Sequence, residues 1–162
     1  MSFALSTGDV LDALRDAIGV ALTIGDHTLT WTKKVEGPPL RWLDATADYP
    51  LIILQPADTD CEDGPALLDM RLPVDVFIVI QATNAGATGI APGTYKTIRL
   101  VGEGVVAKIM DAGPHLGETW LQRSLVNAGV DYDLTEMLAD HGLLIYRARF
   151  LCRYFERETA DP

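Results

Sequence analysis

The residues that could do chemistry are few and scattered. The densest group is Asp58-Thr59-Asp60-Cys61-Glu62-Asp63-Gly64. Hard cations such as calcium take several oxygen ligands at alternating positions of one loop. Asp58, Asp60 and Glu62 give that alternation, and Asp69 falls at the twelfth place. The sixth place, where such a loop needs glycine for its sharp turn, holds Asp63 instead. A solvated acidic turn is therefore expected, and no metal ion or other cofactor. His27, His115 and His141 stand apart from one another, outside any His-x-x-His or His-Glu-x-x-His spacing. Ser2 and Ser124 lack the Gly-x-Ser-x-Gly setting of an activated nucleophile. Cys61 has acidic neighbours, which disfavour a thiolate, and Cys152 falls on an apolar strand face. Asp9, Asp12 and Asp16 read as the solvated face of a helix. Gly102-Glu103-Gly104 lacks the further glycines and the lysine of a phosphate-binding loop. No catalytic residue is expected.

The most pointed feature is a set of arginines. Alternation from Gly142 to Phe155 puts Leu144, Tyr146, Ala148, Phe150, Cys152 and Tyr154 on one face of a strand. Arg147, Arg149 and Arg153 then share the other. Arginine forks suit the carboxylates of a neighbouring subunit. Pairing within the chain, for instance with Asp75, or plain exposure are the competing explanations. Trp42, with Leu40 and Leu43, makes the loop Glu36 to Asp48 unusually apolar. Such a patch can meet a partner or fold back over its own core.

The elements that must carry these residues follow from periodicity and punctuation. Ser6 or Thr7 can cap a first helix, with Asp9 in its first turn. Val10, Leu11, Leu14, Ala17, Ile18, Ala21 and Leu22 lie on one side of it. His27 to Lys33 alternates as a strand. Leu51 to Leu54 is a continuous apolar run that suits a strand buried on both faces. Pro56 to Pro65 reads as a turn. The next strand, Met70 to Ala82, puts Leu72, Val74, Val76, Ile78 and Ile80 on one face. Asp75, Phe77, Val79 and Gln81 fall on the other. Pro73 suggests an edge or a bulge there. Asn84 to Gly93, including Thr88, is rich in glycine, alanine and threonine and reads as a flexible loop. A second helix starts near Thr94 and carries Ile98, Val101, Val105 and Ile109. Its Gly102 and Gly104 permit close packing on a sheet. Thr119 to Val126 reads as a strand, Asn127 to Gly129 as a turn, and Leu134 to Ala139 as a short helical or irregular segment. The expected class is α+β, a mainly antiparallel sheet with two helices packed on one face.

The 162 residues suit one domain, with an ordered core of about 8–155 and a flexible tail from Glu156 to Pro162. A chain of this size buries roughly 70% of its extended surface on folding, so no staples are needed. The two cysteines are far apart and require no oxidising compartment. The start has no basic segment followed by a long apolar core, so no signal peptide is expected. No apolar run nears the ~20 residues of a membrane span. A soluble chain, made in the cytoplasm and without membrane contact, is expected. The net charge of −10 disfavours tight binding of nucleic acid, because phosphates must be neutralised by lysine and arginine. A surface past which DNA slides without sticking remains open.

The order of these elements resembles a known family. The helix Asp9 to Leu22, the strand around Trp31, the run Tyr49-Pro50-Leu51-Ile52-Ile53-Leu54, the strand through Val74 to Ile80, the helix Thr94 to Ala112 and the closing strand Leu143 to Phe155 follow in sequence. This looks like the tail terminator, or tail-completion, proteins of long-tailed bacteriophages. The likeness spans about residues 8–155 and rests on size, order and hydrophobic pattern. It implies a curved sheet with helices against it and a homohexameric ring in the virion. The ring would end tail-tube growth, join the tail to the neck and let DNA pass through its lumen. The implied partners are further copies of the chain, the tail tube protein and a neck or head-completion protein. Asn84, Thr88 and the acidic residues Asp58, Asp60, Glu62 and Asp63 would sit in docking loops. The loop Glu36 to Asp48 matches no family feature.

Two other readings compete. A head-side neck or head-completion connector shares the size and the lack of chemistry. A small metal-dependent hydrolase could use Asp58, Asp60, Glu62 and Asp63 to hold magnesium, though no base, nucleophile or phosphate cradle accompanies them.

Overall fold

The computed structural model describes residues 7–19, 22–24, 27–33, 51–58, 60–63, 67–81, 92–137 and 142–157. The elements in chain order are α1 (Thr7–Ile18), β1 (Leu22–Ile24), β2 (His27–Lys33), β3 (Leu51–Pro56), β4 (Asp60–Asp63), β5 (Leu67–Gln81), α2 (Pro92–Asp111), β6 (Leu121–Val130), α3 (Tyr132–Met137) and β7 (Leu143–Arg157). The strands form one sheet in the order β1-β2-β3-β5-β7-β6, and β4 also pairs β5. Only the β2–β3 pair is parallel among the described ladders. The fold is α+β, a mainly antiparallel sheet with α1 and α2 against one face.

The sheet is organised by β5 and β7, which pair without a break from Leu67↔Arg157 to Gln81↔Leu143. Period-two alternation sends their even-numbered side chains toward the helices. Leu72, Val74, Val76, Ile78 and Ile80 of β5 join Leu144, Tyr146, Ala148, Phe150, Cys152 and Tyr154 of β7 in the main core. Val10, Leu11, Leu14 and Ile18 of α1 and Ile98, Val101, Val105 and Ile109 of α2 complete it. The spacing of three and four that predicts two amphipathic helices is the spacing that packs them. Strand β3 is buried on both faces, with Ile52 and Leu54 in the main core and Ile53 in a smaller one.

Gly102 lets α2 lie close to the sheet. A Cβ there would fall on the Cγ and Cδ carbons of the Tyr146 ring. The approach also desolvates Tyr146 and, with the nearby Glu103 carboxylate, pushes its phenol pKa up. Helix α2 ends at Asp111, and Gly113 just beyond it has a φ of 86°, in the left-handed region that glycine adopts without penalty.

The structure corrects several sequence expectations. Pro73 is the exception, since it sits at a bulge-like break as its residue type suggests: the register steps four residues from Pro56 to Asp60 against three from Val74 to Arg71. It pairs opposite Leu151 of β7, with β3 ending at Val74 and β4 beginning at Arg71 on its other side. Its carbonyl accepts from Ala57 N at 2.8 Å. In a strand the N and O of one residue point the same way, so the missing N–H falls in the gap between two successive partners. The turn expected over Pro56 to Pro65 contains β4, paired with β5 from Asp60↔Arg71 to Asp63↔Leu68. The turn expected at Asn127 to Gly129 is strand instead, carried past a bulge between Leu125 and Asn127. Helix α3 begins at Tyr132, earlier than expected, because Asp131 caps it: the carboxylate Oδ1 accepts from Leu134 N at 3.0 Å.

Candidate interaction face on the sheet

The odd-numbered side chains of β5 and β7 occupy the face opposite α1 and α2. One end of this face is apolar. Ile53, Phe77, Val79, Leu143 and Ile145 form a small buried cluster there, and Leu134 of α3 packs against it. Helix α3 is tied down by its own polar groups. Asp131 N donates to Ile145 O at 2.8 Å, and Ile145 N donates to the Thr135 hydroxyl at 3.1 Å.

The other end is ionic. Arg149 is directly opposite Asp75 in the ladder. Its guanidinium meets the carboxylate in a two-pronged contact, Nε to Oδ1 at 2.8 Å and Nη2 to Oδ2 at 2.9 Å. Asp75 is 9% exposed, so the fork also supplies partners that a buried carboxylate needs. The same bonds push the Arg149 pKa further up. Arg153 faces Arg71 across the strands, a like-charge pair that would be unfavourable alone. Asp69 resolves it. Arg153 grips both its oxygens at 2.8 and 2.7 Å, and Arg71 Nη2 reaches Oδ2 at 3.3 Å. The hydrogen bonds from Arg153 hold the Asp69 carboxyl below the ordinary carboxylate range, against the upward push of desolvation. Arg147 has its Nε 3.6 Å from Asp131 Oδ2.

Arg147, Arg149 and Arg153, which strand alternation puts on one face, are thus together on one face, and Asp75 is with them. Each arginine has a carboxylate partner within the chain, while its side chain stays 38–44% exposed. Asp69, Arg71 and Asp131 join this face beyond the expected set. The sequence offers Asp69 only as the twelfth place of a cation loop, one residue before the expected strand Met70 to Ala82. Arg71 is inside that strand and shares the parity of Asp75, the signal that places it on this face.

Of the other candidates, Asp58 is exposed just beyond β3, and Asp60, Glu62 and Asp63 belong to a paired strand rather than to a docking loop. Trp42, Leu40, Asn84 and Thr88 lie outside the described residues. Among the described residues no three of His, Cys, Asp and Glu are grouped to hold a metal ion. No described helix is long and apolar enough to cross a membrane. Cys152 is fully buried, and burial pushes its thiol pKa up to about 12. A buried arginine, Arg123 on β6, donates from Nη2 to Met110 O at 3.2 Å. That puts a cation at the C-terminal end of α2, where the helix dipole favours it.

No protein-family model matches the chain, and comparison with curated proteins finds no match either.

Proposed function

We propose that this chain is a structural virion protein, a tail terminator that forms a ring on the head-proximal end of a tail tube. The observation that carries the reading is the ion-paired face of β5 and β7. It is carried by the longest of the described ladders and set by bidentate forks, and helices α1 and α2 leave it uncovered. A charged surface whose side chains are already fixed loses little freedom when a neighbour docks. Among the described side chains of this face, four guanidinium groups are held by three carboxylates, while the chain carries −10. Arginines already engaged by aspartates have less positive potential to offer phosphates, which suits a conduit that DNA must traverse without sticking. The fold class, a mainly antiparallel sheet with helices against one face, is of the kind that the family resemblance implies. The ring would form from copies of this chain on the tube end, with a neck protein docking above it.

The test is co-sedimentation of the purified chain with tail tubes and, separately, with DNA-filled heads. The terminator reading expects the chain to pellet with tubes. Pelleting with heads alone would select a head-side connector, and pelleting with neither would end both readings.

A further inference from the structure

The outer edge of β6 is divided in two. Its first half is covered by the turn after α2: Arg123 N donates to Pro114 O at 2.8 Å, and His115 Nδ1 lies 2.8 Å from Leu121 O. Past the bulge nothing described covers it. Asp131 N donates inward to Ile145 O. By alternation Gly129 and Asn127, opposite Arg147 and Arg149, also face β7. Ala128 and Val130 therefore turn their main-chain N–H and C=O groups outward, and Val126 is the extra residue of the bulge, without a ladder partner. Neither Ala128 nor Val130 makes a hydrogen bond outside the β6–β7 ladder among the described residues.

An open edge is a template for another strand, and proteins usually guard it with charge or proline. Residues 124–130, Ser-Leu-Val-Asn-Ala-Gly-Val, carry neither. Val126 is 57% exposed and Leu125 38%, so the edge is apolar as well as open.

We propose that two copies of this chain pair through β6, antiparallel, about a two-fold axis at Ala128. The strand is complementary to itself. In that register Val126 of each copy faces Val130 of the other, and the small Ala128 faces its own equivalent at the centre. A chain of net charge −10 repels its copies, and this uncharged segment lets two of them meet without like charges across the strands. The covered first half of β6 limits the added strand to the residues beyond the bulge. A two-fold contact closes at two copies, so this is a solution dimer distinct from a ring on a tube end. It stands whether or not the chain caps tails.

The experiment uses the full chain and two exposed substitutions, Ala128→Lys and Ala128→Glu, studied by sedimentation across concentration. The unsubstituted chain is expected to show a species of twice the protomer mass. Each variant alone sets like charges face to face and should dissociate several-fold more readily. An equimolar mixture of the two should recover the dimer, a result that misfolding would not give. Hydrogen exchange should show protection of 126–130 that grows with concentration. Four outcomes overturn the proposal: a monomer at all concentrations, an oligomer insensitive to either charge, a mixture that stays dissociated, or an edge protected only when a foreign extended peptide is added.

Discussion

Strands β5 and β7 present two faces built from the same ladder, and the faces are held by different forces. On the helix side, Leu72 to Ile80 and Leu144 to Tyr154 are buried against α1 and α2. Stability there comes from removing apolar surface from water and filling space. On the other side, Asp75–Arg149 and Asp69–Arg153–Arg71 hold the same strands through forks that still touch solvent. Ion pairs of that kind contribute little net stability, but they fix geometry and charge. The contrast assigns the first face to folding, and the second is the one that the proposed function uses for recognition.

Substitutions should separate the two. The largest loss is expected for Phe150→Ala, since Phe150 is fully buried at the centre of the main core. Truncation should cost about 3–5 kcal/mol in denaturant unfolding. Gly102→Ala comes next. Its methyl would meet the Tyr146 ring, and lifting α2 should cost about 1–3 kcal/mol. A Gly102→Ala variant as stable as the parent would mean that the helix does not lie as close as described.

On the ionic face the effects on stability should be smaller and those on assembly larger. Asp75→Asn removes one side of a charge-assisted fork. It should cost about 1–2 kcal/mol, below the full worth of such bonds, because Arg149 is still 38% exposed. Arg149→Glu sets two carboxylates together and should abolish tube binding in co-sedimentation while the chain stays folded by circular dichroism. Retained binding would return this face to a purely structural role.

The smallest effect at neutral pH belongs to Asp69→Asn, and its signature is pH dependence. Arg153 depresses the folded Asp69 pKa. The contribution of this carboxylate is therefore complete above the unfolded carboxylate value, about 3.9, and is lost as pH falls through the lower folded value. Unfolding curves of parent and variant should differ at pH 6 and converge in strong acid. A gap that persists there would mean that the carboxylate's charge is not what holds Arg153.

Much of the fold is legible in the sequence because burial writes a period. The even-numbered residues of β5 and β7 and the three-and-four spacing of α1 and α2 mark the helix-covered core directly. The bulge was hidden, since Asn127-Ala128-Gly129 is turn-like in composition and only pairing with Arg149 to Arg147 keeps it extended. Strand β4 was hidden for a related reason: Asp60-Cys61-Glu62-Asp63 has poor strand propensity, and its order comes from β5 beside it. The arginine face was half legible. Alternation shows which arginines share a side, but register decides their partners, and register is a tertiary property.

The most direct measurement is electron microscopy of tail tube protein polymerising with and without this chain. Tubes of bounded length are expected, each closed at one end by a ring of this chain. Tubes that grow without limit and carry no ring at either end would contradict it.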